Sequence, residues 1–434
     1  MKKRNLFALL TMVLFSIMAF GLVHAQDPVE LRFTWYDNNP RESAAMQEAL
    51  DQFEADNPGI TVTLDVIDYA EGIQKTLPLQ IQAGEGPDIA RLTAFTSLTD
   101  HYLDLTPYID DADYWSKSFP EIILQSLRPK DDTTGLYGYP LQFTITGPFI
   151  NRTLFEQAGV DVPSDSNDAV TWPEWTDAAK QVAEATDTPY AMAMDRSGHR
   201  FAGPAISDGA TFFDADGNVT IDSPGFRAMA ETLIGWHTDG ITPAEVWAGN
   251  SGTYAPATDY FVNGQVVFYM AGSWQIGNFE ANVGDKFDWE AVPNPTGPGG
   301  STGMPGGDAV VALKETQHPE EVAKVMDYLA QEDVLGAFVA KTLLIPGHLG
   351  LVEKGIEYDT ENKFAGAALN AFLAQLPNIA EDAYKMNFHP QNSAIFNAIR
   401  DRLGQVLNNE LTLDEAIVKM QEDADAAIKA ANGG

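Results

Sequence analysis

The run FVNGQVVFYMAGSWQIGNFE, Phe261 to Glu280, decides how this chain is read. Val266, Val267, Phe268, Tyr269 and Met270 form a short apolar stretch without alternation, the pattern of a strand covered on both faces, as in a parallel sheet. Ala271, Gly272 and Ser273 then remove bulk, and Trp274 arrives where the strand should stop. In open α/β sheets, ligands bind beyond the carboxyl ends of strands. Trp274 is therefore either an indole facing a ligand or a cap on the core beside a turn. The flanking sequence has to choose.

Toward the N-terminus, Leu31, Phe33 and Trp35 alternate as in a strand, and Asn39-Pro40 reads as an N-cap followed by proline at the first helical position. Met46, Leu50 and Phe53 recur at helical spacing until Asn57-Pro58-Gly59 stops the helix. Ile60, Val62, Leu64 and Val66 alternate again, and a further helical stretch leads through GEGPDIARL into a short strand. Strand, helix, strand, helix, strand implies right-handed crossovers and a parallel sheet. The same rhythm resumes at Thr171, which starts an alanine-rich helix with Trp175, Ala179 and Val182 on one face. FDADGNVTID reads as a hairpin; its Asp214, Asp216 and Asn218 suggest a calcium loop, but Val219 and Gly225 stand where that loop requires Gly and Glu. From Trp289 the chain is dense in Pro and Gly, and it ends in helices, with a capping box at Thr412 and Glu415.

A chain of 434 residues exceeds one ordinary core, so two or more domains are expected. Its first 25 residues have Lys2, Lys3 and Arg4, an uncharged run from Leu6 to Val23, and Val23-His24-Ala25 before Gln26. This is the layout of a cleaved secretory signal; an uncleaved anchor is the competing reading. There is no cysteine, so neither disulfides nor a lipid-modified cysteine is available. After cleavage the chain is expected to be soluble, in a periplasm or outside the cell. Losing the three basic residues takes the formal charge from −36 to −39, which opposes nucleic-acid binding.

Five stretches together resemble the extracellular solute-binding proteins of ABC importers, in the carbohydrate-binding group that includes maltose-binding protein. They are GEGPDI from Gly84, GLYGYPLQFTITGPFINRTLFEQAGV from Gly135, TWPEW from Thr171, FVNGQVVFYMAGSW from Phe261, and PQNSAIFNAIRDRLGQVLNNELTLDEAIVKMQ from Pro390. The resemblance spans nearly all of the mature chain. It departs after Pro87-Asp88, where Arg91, Leu92 and Phe95 stand without the Trp or acid often found there, so no sugar is carried over.

The resemblance implies an α/β fold of two lobes, each a mostly parallel sheet flanked by helices, joined by crossing strands and closing on a ligand. The expected N-terminal lobe is 26–142 plus 295–346 and the C-terminal lobe 143–294 plus 347–434. Crossings are expected at Gln142–Ile145, in the Pro/Gly region from Val292, and at LLIPGHLGL from Leu343.

On this reading Trp274 covers the apolar C–H face of a sugar, while polar groups satisfy its hydroxyls. Trp35, Tyr36, Asp37 and Asn38 follow the first strand and either contact ligand or cap the helix. Arg91 ends another strand and would clamp vicinal hydroxyls or pair with an acid. Gln142 and Thr144 lie in the first crossing, and Gly306, Gly307 and Asp308 at a strand entry where backbone can approach ligand. Arg200, Trp247 and Tyr254 flank loops of the second lobe. Phe396 matches an aromatic contact in the family's C-terminal helices, and His348 reads as a loop residue.

No Gly-x-Ser-x-Gly, His-Glu-x-x-His or phosphate-binding Gly-Lys-Ser/Thr loop is present, and the seven histidines show no metal-ligand spacing. The expectation is a non-enzymatic, monomeric binder of a sugar or oligosaccharide, with no cofactor or metal, delivering its ligand to ABC permease subunits. A binder of a peptide, polyamine, phosphorylated polyol or iron-type ion on the same lobes is the alternative, and a secreted carbohydrate hydrolase the more distant one.

Overall fold

The computed structural model describes residues 28–167, 169–249 and 254–431. The expected signal segment and its cleavage point lie outside them. Strand β1 (Val29–Trp35) leads into helix α1 (Glu42–Asp56) and back to β2 (Ile60–Val66), with β3 (Ile89–Leu92) on its other side; all three strands are parallel. Asn39 Oδ1 accepts from the Arg41 N–H, and regular helix starts at Glu42, two residues later than the Asn-Pro pair suggested.

The long strand β4 (Gly138–Asn151) carries the chain across. Beyond it come helix α2 (Trp172–Thr186), opened by the Thr171–Glu174 capping box, strand β5 (Tyr190–Met194) and helix α3 (Gly198–Ser207). Strand β6 (Val266–Gly272) pairs parallel with β5 and antiparallel with β4, as does β7 (Trp289–Ala291) with β4. A ribbon of β8 (Thr296–Gly297) and β9 (Gly300–Ser301) precedes β10 (Pro305–Ala312), which is antiparallel to both β3 and β4. Strand β11 (Ile345–Pro346), helix α4 (Leu349–Lys354), α5 (Asn392–Leu407) and α6 (Leu413–Ala431) follow. The order is β2-β1-β3-β10-β4-β6-β5, parallel toward both ends and antiparallel where the crossing strands sit. The calcium-like segment is held by a single bridge between Phe213 and Val219, and Asp214 accepts backbone N–H groups from Asp216 and Asn218.

Alternation along the strands builds the first lobe's two core layers. Phe33, Ile89, Val310 and Ala312 face one layer, while Ala90, Leu92, Ala309 and Val311 face the other. A separate large core gathers Phe149, Trp172, Trp175 and Phe268 in the second lobe. Leu141 belongs to the first core and Ile145 to the second, so β4 changes lobes between them.

Two expected boundaries are corrected by packing. Residues 295–304 stay with the second lobe: Ser207 Oγ donates to Gly300 O at 2.8 Å, and Met304 lies in the second core. The crossing is made by β10 instead. Helix α4, through Leu351, and Ile356 just after it stay with the first lobe, and the return begins at Tyr358. Among the described residues, no helix is long and apolar enough to cross a membrane.

Candidate functional site

A cleft of about 690 Å³ opens between the lobes, within the range of small-molecule sites. Tyr36, Asp37, Asn38, Gln142, Thr144, Arg200, Tyr254, Trp274, Gly307, Asp308 and Phe396 all line it. Trp35, Arg91 and Trp247 do not, and their expected place on the ligand surface is corrected. Trp35 packs edge-on to Phe33 and Phe338 inside the first core, because alternation along β1 turns it inward. Trp247 is buried in the second core, its indole N–H donating to Met194 O at 2.9 Å.

Arg91 is fully buried. It donates to Glu42 Oε2 at 2.5 Å, Asp308 Oδ2 at 2.8 Å and the Tyr36 carbonyl at 2.8 Å, and its guanidinium lies over the rings of Trp35 and Tyr36. A charge removed from water persists only when paired in this way. Burial pushes the Glu42 carboxyl above its ordinary range, against the opposing pull of Arg91. Tyr36 Oη and Gln142 Nε2 also donate to Asp308 Oδ2, at 2.9 and 2.6 Å. Arg91 thus acts behind the wall of the cleft, fixing groups that line it. The β4–β10 register slips between Asp308 and Ala309, a bulge that re-aims the strand where it meets the cleft. Gly307, at φ 150°, is required there: a Cβ would lie 2.3 Å from Gln142 O.

Trp274 has its explanation in Gly272. A Cβ on that glycine would meet indole Cζ3 and Cη2 at 2.0 and 2.4 Å, so the missing side chain is the space the ring occupies. The indole is only 7 % exposed, because the Arg200 guanidinium covers it with Cζ 4.0 Å from the ring centroid. Arg200 enters from the first turn of α3, whose N-cap Ser197 accepts its backbone N–H. Next to it, His199 Nε2 lies 3.0 Å from Pro305 O and Nδ1 3.0 Å from Arg200 Nη1. Burial, then the neighbouring guanidinium, push the His199 pKa down to about 3, so the ring is neutral. Asp195 at the end of β5 is held by Tyr254 Oη, Tyr269 Oη and the Ala257 N–H; burial raises its pKa.

Sequence reading missed Tyr69, whose ring meets Tyr36 at 4.9 Å in its own lobe and Tyr254 at 5.5 Å across the cleft. Tyr69 opens an eight-residue π-helical turn, and such turns carry no simple sequence signature. Ser393, Asn397 and Arg400 also line the cleft. Their spacing on α5, the face that carries Phe396, was a signal that could have found them. The lobes touch around the cleft through Thr96 Oγ1 to Asn392 Oδ1 at 3.3 Å and Arg41 to Glu280 at 2.6 Å. Among the described residues, no group of three His, Asp or Glu side chains is placed to hold a metal ion.

Residues 37–335 match the family model described as bacterial extracellular solute-binding protein. A binding protein of Brucella abortus is 25% identical over 386 residues, 84% of this chain and 86% of its own. An arabinooligosaccharide-binding protein of Halalkalibacterium halodurans is 28% identical over 268 residues, 59% of this chain and 57% of its own. In fold, the chain is similar to an ABC substrate-binding protein from Listeria monocytogenes solved in complex with cycloalternan. That likeness has TM-score 0.73 at 20% identity and covers 94% of this chain and all of the other.

Proposed function

We propose that this chain, which belongs to the bacterial extracellular solute-binding protein family, captures a sugar or oligosaccharide between its lobes and delivers it to an ABC import permease. The observation that carries the reading is the composition of the cleft wall. Aromatic rings of Tyr36, Tyr69, Tyr254 and Phe396 alternate there with amides and hydroxyls such as Asn38, Gln142 and Thr144. Sugars present the matching surfaces, an apolar C–H face and a fringe of hydroxyls that must be hydrogen-bonded once buried. The names of the relatives, arabinooligosaccharide-binding among them, support the same reading.

Groups from both lobes meet the ligand together only when the lobes are closed, so binding shifts the population toward that state. Capture and release, without bond cleavage, is the role this geometry serves. The acids on the wall are otherwise engaged: Asp308 by its buried donors and Asp37 by the Trp35 indole N–H at 2.9 Å. Secretion as a monomer after cleavage behind Ala25 fits the role. The test is a thermal-shift screen of the purified mature chain against mono- and oligosaccharides, amino acids, polyamines and phosphate esters. Saccharides are expected to raise the melting temperature. Stabilisation by amino acids or polyamines alone, or release of reducing ends from the saccharides, would reject the reading.

A further inference from the structure

We infer that the cleft selects a saccharide bearing an anionic group, a carboxylate or a phosphate, and that Arg200 is the residue that selects it. This rests on the sugar-binding reading above and narrows it. A neutral sugar stacks best on a bare aromatic plane, and the plane of Trp274 is not bare. Arg200 Cζ stands 4.0 Å over it and 5.6 Å from the centroid of Tyr254. A ligand approaching this wall meets a cation backed by an indole.

The ion pair that balances this cation, with the buried Asp195, is a long one. The Arg200 side chain is 14 % exposed. Nη1 donates to His199 Nδ1, a neutral acceptor, since the other ring nitrogen donates to Pro305 O. Nε is buried without a hydrogen-bond partner. The Asp195 carboxylate is 3.8 Å from Nε, beyond hydrogen-bonding distance. Its oxygens accept hydrogen bonds from other groups, Oδ1 from Tyr269 and Ala257 and Oδ2 from Tyr254. A guanidinium offers five donors in a planar fork that matches carboxylate and phosphate oxygens. Most of that capacity is unspent here.

The surroundings favour the same ligand. The chain as a whole carries 62 acids against 26 Lys and Arg, yet Lys75, Arg196, Arg200 and Arg400 line the cleft beside only Asp37 and Asp308. Lys75 pairs with Glu71, Arg196 and Arg400 both reach Asp401, and Asp308 is matched by Arg91. Arg200 is the cation whose counter-ion stands off. An anion is repelled by the outer surface and drawn to a cleft whose lining carries more basic than acidic side chains.

Calorimetric titration of the mature protein and of Arg200→Gln and Arg200→Lys tests this. The probes are oligosaccharides containing hexuronic acid, sugar phosphates, and neutral oligosaccharides of matched length. An acidic probe is expected to bind wild type at least tenfold more tightly than its neutral match, with affinity falling as salt rises. Whether uronates or phosphates respond identifies the anion. Arg200→Gln should lower that affinity at least tenfold and erase most of the preference for the acidic probe over its neutral match. Arg200→Lys, which keeps the stem and the charge, should fall between and guards against a folding defect. Neutral saccharides binding wild type as tightly as acidic ones would overturn the inference and leave the sugar-binding reading standing. Binding of neither class, with uptake of an amino acid or polyamine instead, would overturn both.

Discussion

The guanidinium of Arg91 and the carboxylate of Asp308 meet at 2.8 Å with both side chains sealed from solvent. One stands on β3 of the first lobe and the other on β10, a strand that crosses between lobes. The pair therefore ties the interior of the first lobe to the crossing strand that lines the cleft. Glu42 completes it from α1 at 2.5 Å from the same guanidinium.

Removing the cation from this cluster leaves two buried carboxylates facing each other. Arg91→Met is expected to cost about 3–5 kcal/mol of unfolding free energy, the range for breaking a buried ion pair from one side. Urea denaturation monitored by tryptophan fluorescence measures it. A loss under about 1 kcal/mol, the size of an exposed pair, would show that the cluster does not hold the wall.

Gly272 is the position where a single methyl group acts on the site. In Gly272→Ala the new Cβ would lie 2.0 Å from the Trp274 ring, so the indole must leave its place under Arg200. Saccharide affinity is expected to fall at least tenfold, about 1.4 kcal/mol, with a lower melting temperature. Unchanged affinity by calorimetry would show that this wall takes no part in binding.

Trp247 and Trp274 separate a core indole from a cleft indole. Trp247→Phe should lower stability by about 1–3 kcal/mol through lost packing and the lost bond to Met194 O, and leave ligand affinity within twofold. A large drop in affinity without loss of stability would put Trp247 back at the ligand.

Acid dependence follows from His199. Its folded pKa of about 3 lies below the ordinary imidazole value of about 6.5. Below pH 6.5 the unfolded chain takes a proton that the folded ring refuses, so stability falls as pH drops toward 3. The slope reaches about 1.4 kcal/mol per pH unit. Asp195 and Glu42, whose values are raised by burial, act in the opposite sense, since the folded state keeps their protons longer. His199→Gln should therefore flatten the loss of stability between pH 6.5 and 4, read by denaturant midpoints at each pH. Parallel curves for variant and wild type would contradict this.

The Arg41–Glu280 contact ties the lobes on one side of the cleft at 2.6 Å, with Arg41 partly exposed. Arg41→Gln should weaken closure by less than about 1 kcal/mol. In small-angle scattering the ligand-free variant is expected to show a larger radius of gyration, returning to the wild-type value with saturating ligand. An identical radius in both free proteins would show that the contact does not bias closure.

Local pattern was enough to specify the elements. Alternation in Leu31–Trp35 and Ile60–Val66, the apolar run before Ala271 and the Thr171 and Thr412 caps depend on neighbours within a few residues, and each appears where physics of that range puts it. The family resemblance carried by five stretches implied two lobes with a cleft between them, and most of the side chains singled out do line it. What folding alone decided was which way the long side chains turn. Arg91 and Trp35 follow the first lobe's strands inward, and Trp247 packs under the end of β5, because their neighbours come from segments far away in the chain. The placement of a guanidinium over the Trp274 indole is of the same kind. It requires α3 and β6 to be laid side by side, and no spacing between residues 200 and 274 encodes that meeting.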